Sequence, residues 1–201
     1  EIPLYTFQLK YFKLFFSDIV YSQITNANFN QAIADCLSTN PVNGMCTSSQ
    51  YGVMPNWDVS NVTDMHEAFR NRNDFNADIS SWDVSNVTAM ERMFYNAHSF
   101  NQDLGNWNVG NVTTIPAMFA DARYFNQDIG NWNVSNVTNM NSMFLYARNF
   151  NQDISSWDVG NVTTMRGMFY TAETFNQDIG NWNVSNVTYM DQMFMYAWAF
   201  N

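Results

Sequence analysis

Positive charge is scarce in this chain. Eight Lys and Arg face eighteen Asp and Glu, for a formal net charge of −10. A surface so poor in cations cannot neutralise a phosphate backbone, which excludes nucleic acid as a partner, and it has little hold on anionic lipid headgroups. Cysteine is almost absent: Cys36 and Cys46 are the only two. They read either as a local disulfide, which implies an oxidising compartment, or as two unpaired thiols. No second cysteine pair or adjacent His completes a zinc set, so no metal is expected. Long apolar runs are missing too, and no transmembrane helix is expected. The chain opens at Glu1 with no secretory signal, as a mature or trimmed chain would. Histidine occurs twice, as His66 and His98, in variable positions that suit solvated residues. With no nucleophile elbow, phosphate loop or zinc spacing, the chain is expected not to be an enzyme and to carry no cofactor.

What the chain has instead is a period. Trp57, Trp82, Trp107, Trp132, Trp157 and Trp182 recur every 25 residues. Val59 and Val62, Met65, Phe69, Phe75 and Ile79 each head a column with the same step. One such unit holds too few apolar residues to fold alone, but in a stack each column becomes a ladder of like side chains and the interior is sealed. The expected class is an α/β solenoid, a leucine-rich-repeat-like right-handed stack of 25-residue coils. Residues 1–56 are read as an N-terminal cap with an apolar helix and the Cys36–Cys46 loop, and residues 57–201 as six repeats, the last incomplete.

Within a coil, Asp128 to Val134 alternates apolar and polar residues, the pattern of a half-buried strand. Met140, Met143, Phe144 and Ala147 follow at helical intervals. Thr88 with Glu91 has the spacing of a capping box, and Pro116 suits a first helical turn. A strand and a short helix or 3-10 turn are therefore expected in every coil. Residues 2–21 place Tyr5, Leu9, Phe12, Phe16 and Ile19 at helical spacing, as a helix capping the first coil or docking into a neighbouring molecule.

The string from Phe125 to Phe144, FNQDIGNWNVSNVTNMNSMF, resembles the BspA-like surface-lipoprotein repeat, the DUF285 family. The resemblance spans about residues 56–201, and the segment from Ala27 to Trp57 is similar to the lead-in of versions from algae and other protists. It implies a leucine-rich-repeat-like solenoid on a secreted or surface protein used for adhesion or architecture, with no catalytic motif to carry over.

Four polar columns also repeat. Asn61, Asn86, Asn111, Asn136, Asn161 and Asn186 each lie in Asn-Val-Thr, and Asn133 and Asn183 in Asn-Val-Ser. All eight are N-glycosylation acceptors by motif. Stacking would set the first six roughly 5 Å apart, too close for sugars on adjacent coils, so the plainer role is a ladder bonded to turn backbone, with one or two sites glycosylated at most. Asp78, Asp103, Asp128, Asp153 and Asp178 would repel one another unless turn N–H groups offset the charge; calcium between coils is the competing reading, weakened where Asn108, Asn133 and Asn183 interrupt the companion column headed by Asp58. The threonines beginning at Thr63 lack the second file an ice-binding face needs. Asn76, Asn101, Asn126, Asn151, Asn176 and Asn201 suit an inward ladder.

Recognition should fall where columns vary. Tyr95, Arg123, Leu145, Tyr146, Arg148, Tyr170, Met195, Tyr196 and Trp198 are of types enriched at interfaces and are expected together on the helix-and-return side. The expected function is an extracellular structural protein of a surface layer, appendage or fibre, partnered by itself or a related structural chain as an oligomer or polymer. The alternative is a cell-surface adhesin that binds host protein or carbohydrate.

Overall fold

The structure, a computed structural model, describes residues 21–201. Apart from Tyr21, the apolar segment 2–21 lies outside them. The expected class of α/β leucine-rich-repeat-like solenoid is overturned. Among the described residues there are one α-helix, α1 (Phe29–Thr39), and one 3-10 turn (Met54–Asn56). No strand forms; regular pairing is confined to isolated parallel bridges running from Asp64 with Ala89 to Thr164 with Tyr189. Nearly all the rest is turn and loop.

Side-chain competition for the backbone explains the missing strands. Asp128 Oδ1 accepts the Gly130 N–H at 2.9 Å, and Asn133 Oδ1 accepts the Ser135 N–H at 3.2 Å. Between them the Trp132 N–H turns back to the Ile129 carbonyl, and beyond them Val137 turns back to Val134. Each Asx turn bends a backbone that alternation alone would have left extended.

The missing helices have a different cause. Arg92 and Asn96 sit at φ 52° and 57°, and their equivalents Ala117 and Asp121, Ser142 and Tyr146 do the same. A left-handed residue every fourth position breaks the i to i−4 ladder. The N–H groups of Met93, Tyr95 and Ala97 therefore fold back three residues, while those of Met90, Arg92, Phe94 and Asn96 donate to the carbonyls of Thr114, Pro116, Met118 and Ala120. Holding a non-glycine residue left-handed costs about 1–3 kcal/mol, which these four bonds offset. The Thr88 capping box is likewise absent: the Thr88 hydroxyl donates to the Thr63 carbonyl at 3.2 Å. Pro116 is tolerated because the N–H at equivalent positions goes to a side chain, as His66 N–H does to Asp64.

Side chains 25 positions apart lie against one another in these turn-built units. Phe94, Phe119 and Phe144 stack at 5.5 and 5.8 Å, and each rests on a second ring of its own unit, Phe119 on Phe125 at 4.0 Å. The indole N–H groups of Trp82, Trp107, Trp132, Trp157 and Trp182 each reach a carbonyl 28 residues back, as Trp132 does to Leu104 at 2.9 Å and Trp157 to Ile129 at 3.1 Å. No buried side-chain nitrogen or oxygen among the described residues lacks a partner.

One ladder carries a directional check. Asn126 Oδ1 accepts the Asn151 N–H at 2.9 Å and the Gln152 amide at 3.0 Å, while the Asn126 N–H donates to Asn101 Oδ1 at 2.9 Å. Asn126→Ala is expected to leave the Asn151 N–H unpaired and to cost about 1–3 kcal/mol in urea unfolding; a loss below a few tenths would show that water replaces the amide.

At the amino end, α1 buries Phe29, Ala32, Ile33, Cys36 and Leu37, one helical stripe, and Phe29 meets the Trp82 ring edge-on at 5.9 Å. The helix stops at Asn40, ahead of Pro41, where the fixed proline ring cannot continue it. Cys36 and Cys46 form a disulfide, with Cα atoms 5.1 Å apart.

Candidate functional site

The interface residues expected from variable columns are only partly brought together. Tyr146, Tyr170 and Tyr196 form a file of edge-to-face rings, with centroids 5.6 and 5.5 Å apart and planes at 80° and 90°. Trp198 extends it, 5.7 Å from Tyr196 and 75 % exposed. Leu145 joins Tyr146 and Tyr170 in a shallow groove whose floor holds Ser142 and Gly167 and whose rim carries Arg166 and Asp191. Met195 is exposed beside it. Tyr95 is elsewhere, under the Arg70 guanidinium at 5.7 Å. Arg123 grips Asp121 with two bonds, at 2.8 and 3.1 Å, and Arg148 pairs with Glu173 at 3.3 Å. These arginines are engaged at the surface rather than aimed into the groove.

The same left-handed geometry that breaks the helix builds the groove. Tyr146 and Tyr196 are themselves left-handed, at φ 57° and 61°, and so are Ser142 and Gly167 in its floor, at 55° and 56°. Within the file the Tyr170 hydroxyl titrates above the ordinary tyrosine range, first through burial and then through Tyr146 and Tyr196 beside it.

Several charged contacts, among them those of His98 and Arg166, are not foreseen from the sequence. His98, read as solvated, has Nε2 2.9 Å from Asp121 Oδ2. Burial raises the Asp121 pKa, but hydrogen bonds from Arg123 and His98 outweigh it and hold the carboxyl below its usual range. Arg166 Nε donates to Asp191 Oδ2 at 3.0 Å. Those two residues share a column, 25 positions apart, and opposite charges in one column were the signal available.

The aspartate columns are explained by their own turns. Ser80 donates to Asp78 Oδ1 through its hydroxyl at 2.6 Å and its N–H at 3.0 Å, and the hydroxyl first, then the N–H, lowers the Asp78 pKa. Ser60 and Ser85 act in the same order on Asp58 and Asp83. No group of three metal-ligating side chains occurs among the described residues.

Seven of the eight sequon asparagines divide into two sets, Asn61 belonging to neither. Nδ2 of Asn86, Asn111, Asn136, Asn161 and Asn186 donates to a carbonyl of the preceding unit, at 2.6 to 2.9 Å. Asn133 and Asn183 instead use Oδ1 to accept the N–H two residues on, at 3.2 Å in both.

The expected fibre, layer or appendage role loses its basis here. It rested on a strand-and-helix repeat solenoid presenting its variable columns, and among the described residues that architecture does not form. The adhesin alternative falls with it, since the helical face it relied on does not form. No helix among the described residues is long and apolar enough to cross a membrane. No curated protein and no solved structure matches the chain. A family model described as "Mycoplasma protein of unknown function, DUF285" matches residues 38–147 and 125–201, and the chain belongs to that family.

Proposed function

We propose that this chain is a non-catalytic protein-recognition module, extracellular or at a cell surface, and that its partner is a second copy of itself or a related chain. The observation that carries the reading is the Tyr146–Tyr170–Tyr196 file with its groove. Tyrosine and tryptophan supply large, stiff, amphipathic contact area at low entropic cost, which is why they dominate binding hot spots. The rim carries both signs, Arg166 with Asp191. Such a face can meet its own copy about a two-fold axis with opposite charges opposed, in a closed pair rather than a filament.

The Cys36–Cys46 disulfide supports an oxidising compartment, and the likeness of residues 125–144 to BspA-type surface-protein repeats, with that of Ala27 to Trp57 to the lead-in of protist versions, points the same way. The non-catalytic reading rests on where the repeating polar side chains go: the asparagine, threonine and aspartate columns are bonded to backbone.

Sedimentation of the full chain is expected to show a concentration-dependent pair, and the Tyr146→Ala, Tyr196→Ala double variant to dissociate at least about tenfold more readily, as loss of hot-spot rings does. A wild-type chain that stays monomeric across the concentration range would remove self-pairing; a double variant that pairs as well as wild type would remove this face.

A further inference from the structure

We propose that Asn133 and Asn183 are sites at which this chain accepts N-linked glycan, and that Asn86, Asn111, Asn136, Asn161 and Asn186 of the Asn-Val-Thr ladder are closed to it. The inference rests on the oxidising, secretory location proposed above.

By motif alone the ladder asparagines and the Asn-Val-Ser pair are equivalent, and exposure does not separate them, since both sets lie at the surface. The bonding of the amide nitrogen does. In the ladder, Nδ2 of Asn111, Asn136 and Asn161 lies 2.7, 2.6 and 2.7 Å from the carbonyls of Ser85, Gly110 and Ser135. A sugar attached there would be driven into the backbone of the preceding unit. The ladder hydroxyls are committed as well: Thr113 donates to Thr88 and Thr138 to Thr113, both at 3.3 Å.

Asn133 is arranged the other way. Its Oδ1 accepts both the Ser135 N–H and the Ser135 hydroxyl, the latter at 2.7 Å, so the sequon closes on itself and Nδ2 is not drawn onto a carbonyl of the preceding unit. Glycine beneath each of these amides spares it the contact that a serine Cβ would make. A Cβ built on Gly110 of the preceding unit would lie 3.4 Å from Asn133 Nδ2, and one on Gly160 would lie 3.7 Å from Asn183 Nδ2. Where other units place Ser60, Ser85, Ser135 or Ser185, the residue under each of these two asparagines is glycine. The pair is also two units apart, roughly 10 Å at about 5 Å per unit, with Asp158 between them, so two sugars do not collide.

The reaction takes the glycan from a polyprenyl-pyrophosphate donor. The bond from sugar C1 to the pyrophosphate oxygen breaks, the Nδ2–C1 bond forms, one amide proton passes to a base of the transferring enzyme, and polyprenyl pyrophosphate departs.

The test is to secrete the full chain from eukaryotic cells behind a host leader and map occupancy by glycosidase release in heavy-oxygen water. Asn133 and Asn183 are expected to carry sugar, Asn86, Asn111, Asn136, Asn161 and Asn186 to be bare, and N133Q/N183Q to lose two glycans of mass. Sugar on any of those five ladder asparagines overturns the proposal, and so does a folded, secreted chain bare at both sites. Because the host imposes secretion, this result does not depend on where the native chain resides. Finding Cys36 and Cys46 reduced in native material would defeat the compartment reading alone.

Discussion

Phe119→Ala is expected to cost about 3–5 kcal/mol, the range for deleting a fully buried aromatic ring. Phe119 is wholly buried. Phe94 and Phe144 stack on its two faces, Phe125 lies 4.0 Å away within its own unit, and Trp132 leans on it at 6.2 Å. Four aromatic neighbours lose contact together, and none can collapse into the hole without leaving its own stack. In a chain this size the loss corresponds to a fall of about 10 °C in Tm, at roughly 2–4 °C per kcal/mol. Phe194→Ala is the control. Phe194 holds the same column but is only partly buried, with Phe169 on one face and Phe200 beside it, so its loss should be clearly smaller. Equal costs in urea unfolding, or a Phe119→Ala cost near 1 kcal/mol, would mean that the rings do not act as a column.

Side-chain adjacency was legible because it needs only a period. Phe94 above Phe119 and Trp157 above Trp182 follow from a step of 25, whatever the backbone does between them. Backbone class was not legible in the same way. Alternation from Asp128 to Val134 is shared by strands and by paired Asx turns, and an Asp or Asn followed two residues later by Ser or Gly was the cue for the turns. The helix expectation failed on a subtler point. The left-handed file of Asn71, Asn96 and Asp121 carries residue types that tolerate positive φ, which was a readable warning. Its companion file of Glu67, Arg92, Ala117, Ser142, Gly167 and Gln192 carries one only, Gly167. Glu67, Arg92, Ala117 and Ser142 are held left-handed by N–H bonds to the next unit that no local preference announces.

The candidate site divides along the same line. Tyr146, Tyr170 and Tyr196 were picked for their chemistry, but their edge-to-face contact depends on the left-handed turn at Tyr146 and Tyr196. Tyr95 and Arg123 were picked on the same grounds and landed elsewhere, because Arg70 and Asp121 lie within reach of them first. Chemistry chose the candidates, and the turns decided which of them meet.

Removing the disulfide, by reduction or as C36A/C46A, is expected to lower stability by about 2–4 kcal/mol, the range for a short closed loop. The damage should be concentrated at the amino end. Cys36 lies on the buried stripe of α1, and Cys46 on the loop that crosses the first unit. That loop donates and accepts where the first unit begins: the Met54 N–H reaches the Gly44 carbonyl at 2.9 Å, the Asn76 N–H reaches Val42 at 2.8 Å, and the Trp57 indole reaches Gly52 at 3.0 Å. Gly44 can hold this path because its φ is +62° and a Cβ there would come within 2.8 Å of the Met54 Cβ. Without the cross-link, α1 and the loop are joined only by packing, and Trp57 and Trp82 lose the cover that keeps them 4 % and 3 % exposed. Hydrogen exchange should then rise first in α1 and residues 57–81 and leave the units around Phe119 and Phe144 protected. Exchange that rises evenly along the chain would show that the amino end is not an independent clamp, and unchanged stability after reduction would show that packing alone holds it.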